Sequence, residues 1–269
     1  MAGLIGKTVS QSYKSLLRVD DDANGVTTTG KTITDGEGTE TCVKISDDRL
    51  QILPKDDDNT SALAVRDTSG DYILRVDTTD NVVKVNGNQD YANTQYAYFG
   101  ATIAETSGFA VNVHQAIPFG NGLYANNAAD NTPDFGTGTD PATTYSTLEG
   151  TSVRASDLVP MMWYVPDNIT IDSVSSLEGA DTATGDTTRM HLFSYTFSSG
   201  STSALSSGLL VANSSDQVNA GSEQSYLNTW TVDSSNKNVD SGKVILAFFR
   251  SDSINSDYSI SIIVKYHLR

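Results

Sequence analysis

The sequence predicts an all-β protein: an N-terminal stalk of short-strand β-repeats, then an antiparallel, jelly-roll-like β-sandwich, the whole assembled as a trimer. Three observations lead there. Hydrophobic periodicity is almost everywhere two residues, the mark of strands rather than helices. Of the 33 acidic residues 27 are Asp, a turn former and a poor helix former, so the net charge of −16 arrives with turns. Beyond about residue 100 the apolar runs become longer and richer in β-branched and aromatic residues.

Residues 1–86 are expected to form the attachment and stalk region. Its one helix candidate is residues 9–17, where Val9, Tyr13, Leu16 and Leu17 share a helical face. Short alternating runs follow, among them Val43-Lys44-Ile45, Leu50-Gln51-Ile52, Leu63-Ala64-Val65 and Val83-Lys84-Val85. Turn signals such as PKDDDN, DTSGD and DTTDN separate them. Leu17-Arg18-Val19-Asp20 returns letter for letter at residues 74–77, and Val43-Lys44-Ile45-Ser46 has the same apolar-basic-apolar-polar form. Repeats of one small unit need neighbours to bury their apolar faces. Winding three chains together supplies those neighbours more readily than folding alone.

Residues 87–108 read as a Tyr-rich neck, with Tyr91, Tyr96, Tyr98 and Phe99 expected to pack where the chains meet. Residues 109–269 then hold eight strand candidates: 109–119, 158–165, 169–174, 189–197, 204–211, 226–232, 244–250 and 258–267. Eight strands with Gly, Asp and Asn turns describe an antiparallel sandwich, most simply a jelly roll. The polar insert at 126–146 is expected as a loop at one end. The alternating strand at 258–267 is expected to be central, its outer face meeting another subunit.

Composition excludes several classes. So negative a chain repels nucleic acid and anionic membranes. The single cysteine, Cys42, leaves no disulfide framework. The N-terminal apolar run is too short for a signal peptide, and no stretch nears the roughly 20 apolar residues of a membrane span. A soluble product made in a cytoplasm is expected.

The residues that could carry chemistry are few. Asp20, Asp22, Asn24 and Gly25 open like a calcium loop, but its twelfth position is Lys31, where a carboxylate is needed. The repeat copy at Asp77 keeps neither the ligands nor the glycine, so a turn is expected, with Asn24-Gly25 as a hairpin signal. The triplet Asp56-Asp57-Asp58 sits in a loop composition and reads as a solvated turn. His114, His191 and His267 show no metal-ligand spacing, and the first two are expected to point outward from strands. Neither a G-x-S-x-G elbow nor a P-loop occurs. No catalytic residue, metal or cofactor is expected, although carboxylates are abundant enough to leave a glycosidase pair open. Trp163 and Trp230 suit either core or interface packing or a sugar-stacking face. Tyr124, Phe135 and Tyr145, in or beside the long polar insert, are the other candidates for surface contact.

The opening segment resembles a known family. Tyr13, Leu16, Leu17 and Asp20, then Asp35-Gly36-Glu37-Gly38-Thr39 and Val43 to Ser46, are similar to the N-terminal part of structural proteins of tailed marine bacteriophages. The resemblance covers about the first 90 residues. It implies a non-enzymatic virion protein assembled in the host cytoplasm, a homotrimeric fibre or decoration on capsid or tail. Its partners would be copies of itself, other virion proteins, and a host-surface glycan or protein met through loops at 123–146 and 178–187. The rival expectations are a cellular carbohydrate-binding sandwich and a short polysaccharide depolymerase tailspike.

Overall fold

The structure, a computed structural model, describes residues 16–20, 23–55, 59–87, 90–103, 110–120, 133–148, 154–181, 185–253 and 257–269. Residues 9–15 of the helix candidate, Asp22, the Asp56–Asp58 triplet and Tyr124 lie outside the described residues, and Leu16 and Leu17 are not helical. The chain is almost all β and divides into two compact units, Met1–Ala92 and Asn93–Arg269.

The first unit holds two antiparallel sheets, each ordered as in the chain. One contains β1 (Arg18–Val19), β2 (Lys31–Thr34), β3 (Glu40–Ile45) and β4 (Leu50–Ile52). The other contains β5 (Leu63–Arg66), β6 (Tyr72–Asp77), β7 (Val82–Val85) and β8 (Asp90–Tyr91). Their leading hairpins are built alike. Between β2 and β3 the Asp35 carboxylate accepts from the amides of Glu37 and Thr39 at 2.9 and 2.8 Å. Between β5 and β6 the Asp67 carboxylate accepts from Ser69 and Asp71, both at 2.9 Å. Gly38 and Gly70 follow at φ +87° and +90°, backbone that an L side chain resists. The Thr39 amide foremost holds the Asp35 carboxyl below its ordinary range.

These hairpins correct the repeat read from identical letters. The segment after the first hairpin is Val43-Lys44-Ile45-Ser46, and after the second it is Leu74-Arg75-Val76-Asp77. Both pair with the next strand in the same register: Val43 with Ile52 and Ile45 with Leu50, then Leu74 with Val85 and Val76 with Val83. The identical copy at residues 17–20 lies instead on β1, ahead of the first hairpin. Residue type tracked the fold better than identity did. Nor is Asn24-Gly25 a tight hairpin: β1 reaches β2 through residues 20–30, with Gly25 at φ +62° and Lys31 opening β2.

The second unit is the sandwich. Its strands are β9 (Thr94–Ile103), β10 (Gln115–Ile117), β11 (Trp163–Tyr164), β12 (Ile169–Ala180), β13 (Thr187–Phe197), β14 (Leu205–Asn213), β15 (Gln217–Val218), β16 (Gln224–Thr229), β17 (Thr231–Val232), β18 (Asn238–Val239), β19 (Lys243–Ser251) and β20 (Tyr258–Leu268). One sheet runs β16-β12-β20-β9 and the other β10-β19-β13-β14-β17, all antiparallel. Among the eight main strands, the first, eighth, third and sixth share one sheet. The second, seventh, fourth and fifth share the other, which is jelly-roll wiring. The expected central strand is indeed central, β20 lying between β12 and β9. Of the expected neck, residues 94–103 belong to this sandwich as the edge strand β9, with Phe99 fully buried in the core, and Asp90–Tyr91 belong to the first unit as β8.

Two sequence expectations change here. Residues 158–165 are not one strand: α1 (Ala155–Leu158) and a 3-10 turn (Val159–Met161) precede the two-residue β11. Pro160, in the first turn of that 3-10 segment, cannot donate to a strand ladder. The described part of the polar insert, residues 133–146, is not an end loop but, with residues 147–148, a strap lying on the outer face of the β10-β19-β13-β14 sheet. That sheet is therefore buried on both sides. Along β19, Ile245, Ala247 and Phe249 enter the core between the sheets. Val244, Leu246 and Phe248 enter a second core with Phe135, Tyr145, Leu158 and Met161. This double burial is why β19 reads as an unbroken apolar run instead of alternating.

Candidate interaction surfaces

The described residues of the first unit form sheets without a core. Among its described residues no hydrophobic side chain is buried. Pairing places Leu63, Val65, Leu74, Val76, Val83 and Val85 on one face of the β5-β6-β7 sheet. Val65 is 47% exposed and Val83 37%. The opposite face is a charged lattice. Arg75 meets Asp77 at 3.0 Å, Lys84 meets Asp77 at 3.8 Å and Asp80 at 3.4 Å, and Lys84 lies 5.7 Å from the Tyr91 ring centre. Arg66 stacks on Tyr72 at 3.9 Å. In the other sheet Val43, Ile45, Leu50 and Ile52 likewise share one face, with Leu50 the most exposed. Each sheet thus presents one aliphatic face that the described residues of its own unit do not bury.

The sandwich presents one uncovered sheet. Outward from β16-β12-β20-β9 stand Tyr96, Tyr98, Leu177 and Leu227, all exposed, with Leu227 at 71%. Tyr98 is opposite Ile263, and Leu177 lies between Leu227 and Ser261. At the end where β9 finishes and β20 begins, a shallow groove of about 430 Å³ is floored by Thr102, Ser259, Gly179 and Ser225, adjacent across four strands, with Asp181 and Glu223 at its edge.

Of the sequence-derived contact candidates, the described ones are buried. Trp163 stacks parallel on Phe119 at 5.8 Å and meets Tyr266 at 4.9 Å. Trp230 donates its Nε1–H to Ser176 Oγ at 2.9 Å inside the inter-sheet core. Phe135 and Tyr145 stack at 4.6 Å beneath the strap. None of the four offers a ring face to a ligand. Burial also pushes the Tyr145 hydroxyl up to about 12. Truncating Trp163 or Trp230 to alanine should cost about 3–5 kcal/mol of folding stability, read from urea midpoints, through cavity formation. Trp230→Phe should cost less, because it loses the bond to Ser176 but keeps an aromatic filler.

The neck candidates separate. Tyr91 packs beside Lys84 in the first unit, Phe99 is core, and Tyr96 and Tyr98 alone are outward-facing rings. His114 and His191, expected outside, are both fully buried, and His267 is buried against Asp172 at 2.8 Å. Among the described residues no cluster of three or more His, Cys, Asp or Glu side chains could hold a metal ion. The uncovered aliphatic faces were visible in the sequence as short alternating runs, whereas the outward set Tyr96, Tyr98, Leu177 and Leu227 needed the strand register to assemble.

No family model matches the sequence, and no curated protein is detectably similar to it.

Proposed function

We propose that this chain is a non-enzymatic structural protein of a bacteriophage particle, a homotrimeric fibre or decoration displayed on capsid or tail. The first unit attaches and trimerises as a repeat stalk; the sandwich is the displayed head, available for host-surface adhesion. The observation that carries the assembly is that no hydrophobic side chain is buried among the first unit's described residues. Two sheets with aliphatic faces and no buried hydrophobic side chain do not offset the entropy of ordering the chain. Something must cover those faces whenever the chain folds, and the partner always present during synthesis is another copy. The centres of the aliphatic faces are uncharged, with Lys31 opposite Ile45 and Asp90 opposite Val85 at their margins, so copies of the chain can meet there through apolar contact. The assignment to a phage particle rests on the resemblance of the first 90 residues. Residues 133–146 are engaged as the strap, so adhesion through the expected loops would fall to residues 123–132, outside the described residues, and to the end near residues 178–187.

Sedimentation equilibrium of the full chain should give a trimer that persists on dilution, and immunolabelled virions should carry the label on capsid or tail. A well-folded monomer overturns the assembly, and absence from virions overturns the role. Val65→Asp and Val83→Asp sharpen the test. On a monomer both sites are surface and the change is worth about 0.5 kcal/mol or less. In the trimer they bury a charge, and the assembly should dissociate.

A further inference from the structure

Tyr195, Phe193 and His191 form one row on the outer face of β13, opposite Val244, Leu246 and Phe248 of β19. His191 ends that row against His114, the residue before β10, with ring centres 4.9 Å apart and edge to face. Both side chains are fully buried. His114 Nδ1 donates to the Gly136 carbonyl at 3.1 Å, which leaves its Nε2 a bare lone pair. Neither that atom nor either nitrogen of His191 makes a hydrogen bond. The strap is fastened at this point: the His114 amide donates to Gly136 O and the Phe135 amide to His114 O, each at 2.9 Å. Asp140, also on the strap, places a carboxylate oxygen 3.6 Å from His191 Nε2.

We infer that His114 and His191 form an acid-sensitive latch, which holds residues 133–140 on the sandwich while both rings are neutral and releases them when the rings take up protons. The site has no place for two cations. Arg189 and Arg250 face it from β13 and β19, and Arg250 is held by both Asn112 oxygens at 3.2 and 2.8 Å. Facing it from the strap are Asp134 and Asp140; Asp140 is half-exposed, so water screens its attraction. Burial first, then His114, Arg189 and Arg250, push His191 down to about 3, and burial lowers His114 as well. Released rings return to the ordinary imidazole range near 6.5. Between those limits the open state holds more protons, so closing weakens as pH falls.

The far half of the strap has separate fastenings. Tyr145 and Leu205 exchange amide bonds at 2.9 and 3.2 Å, and the Gly208 amide donates to Thr143 O at 2.9 Å. Release at the latch is therefore local. It would uncover Phe193 and Phe248 at the edge of the second core while the inter-sheet core stays closed.

Amide hydrogen exchange of the full chain from pH 7.5 to 4.5, corrected for intrinsic rates, tests this. The opening constant read at the His114 and Phe135 amides should rise between about tenfold and a hundredfold per pH unit below about 6.5, one power of ten for each proton taken up. Amides of β13 and β19 should not follow, and fluorescence of Trp163 and Trp230 in the inter-sheet core should hold steady. His191→Phe, which extends the aromatic row and cannot titrate, should flatten the dependence. Equal loss across the whole sandwich, no loss at the two amides, or an unchanged slope in His191→Phe would each overturn the latch. None of these readouts depends on the trimer, so the latch and the proposed function fail separately.

Discussion

Gly208→Ala should destabilise the sandwich by about 3 kcal/mol or more, seen as a lower urea midpoint and faster exchange at the Tyr145 amide. The added methyl has nowhere to go. A Cβ at Gly208 would lie 2.5 Å from Tyr195 Cε1 and 2.9 Å from Thr143 Cα. Tyr195 cannot swing aside, because its ring is fully buried and its hydroxyl donates to Ala142 O at 2.8 Å. Thr143 offers backbone, not a flexible side-chain end, so the strap itself must lift. Lifting it breaks the Gly208 amide bond to Thr143 O and opens the second core around Phe135 and Tyr145. Gly179→Ala is the matched control. It too lies within a long strand, but its Cβ would meet Ser259 at 3.8 Å, an ordinary contact. Its cost should stay within about 1 kcal/mol. Equal costs at the two glycines would mean that residues 133–148 do not pack on β14 as described.

That strap is where sequence and structure part. Five of the eight strand candidates, 169–174, 189–197, 204–211, 244–250 and 258–267, are single strands, because long β-branched and aromatic runs such as those of β13, β19 and β20 report burial directly. Residues 226–232 divide instead into β16 and β17 of opposite sheets, and within 109–119 the strand is the three-residue β10. The double burial of one sheet was also legible, in the unbroken apolar run of β19 beside the alternation in β20. Phe135 and Tyr145 were not legible as core. They lie in a Gly-, Asp- and Thr-rich stretch whose local chemistry says loop, and their burial depends on a sheet distant in sequence. A signal did exist on the other side of the contact: Gly208 interrupts an otherwise good strand, which marks close backbone approach. Parity gave a second signal. His191 shares its face of β13 with Phe193 and Tyr195, so alternation placed it inward, against an expectation drawn from polarity alone. The aliphatic faces of the first unit were legible as short alternating runs.

Glu178→Gln should stabilise the protein above pH 8 by up to about 3 kcal/mol and change little near pH 5. Glu178 faces inward on β12 and is almost completely buried. Thr188 Oγ1 donates to its Oε1 at 2.7 Å, and Oε2 has no partner. Burial pushes the carboxyl up to about 7, well above its ordinary 4.5, and the Thr188 bond offsets only part of that. Because the folded value is the higher one, the folded state binds the extra proton. The stability so gained is fully present below about 4.5 and is lost as pH rises through 7. A shift of that size corresponds to about 3 kcal/mol at 1.36 kcal/mol per pH unit. Glutamine keeps the acceptor for Thr188 and removes the charge, so the gap between the variants should open as pH rises from about 4.5 to about 7 and stay open above. The sign is opposite to that of His191, whose lowered value makes acid destabilising. The two therefore oppose each other between about pH 4.5 and 6.5, and Glu178→Gln should leave only the loss on the acid side. Urea midpoints at pH 5, 6.5 and 8.5 would decide it; a difference that does not grow with pH would mean that Glu178 is solvated, with the sheets open at that end.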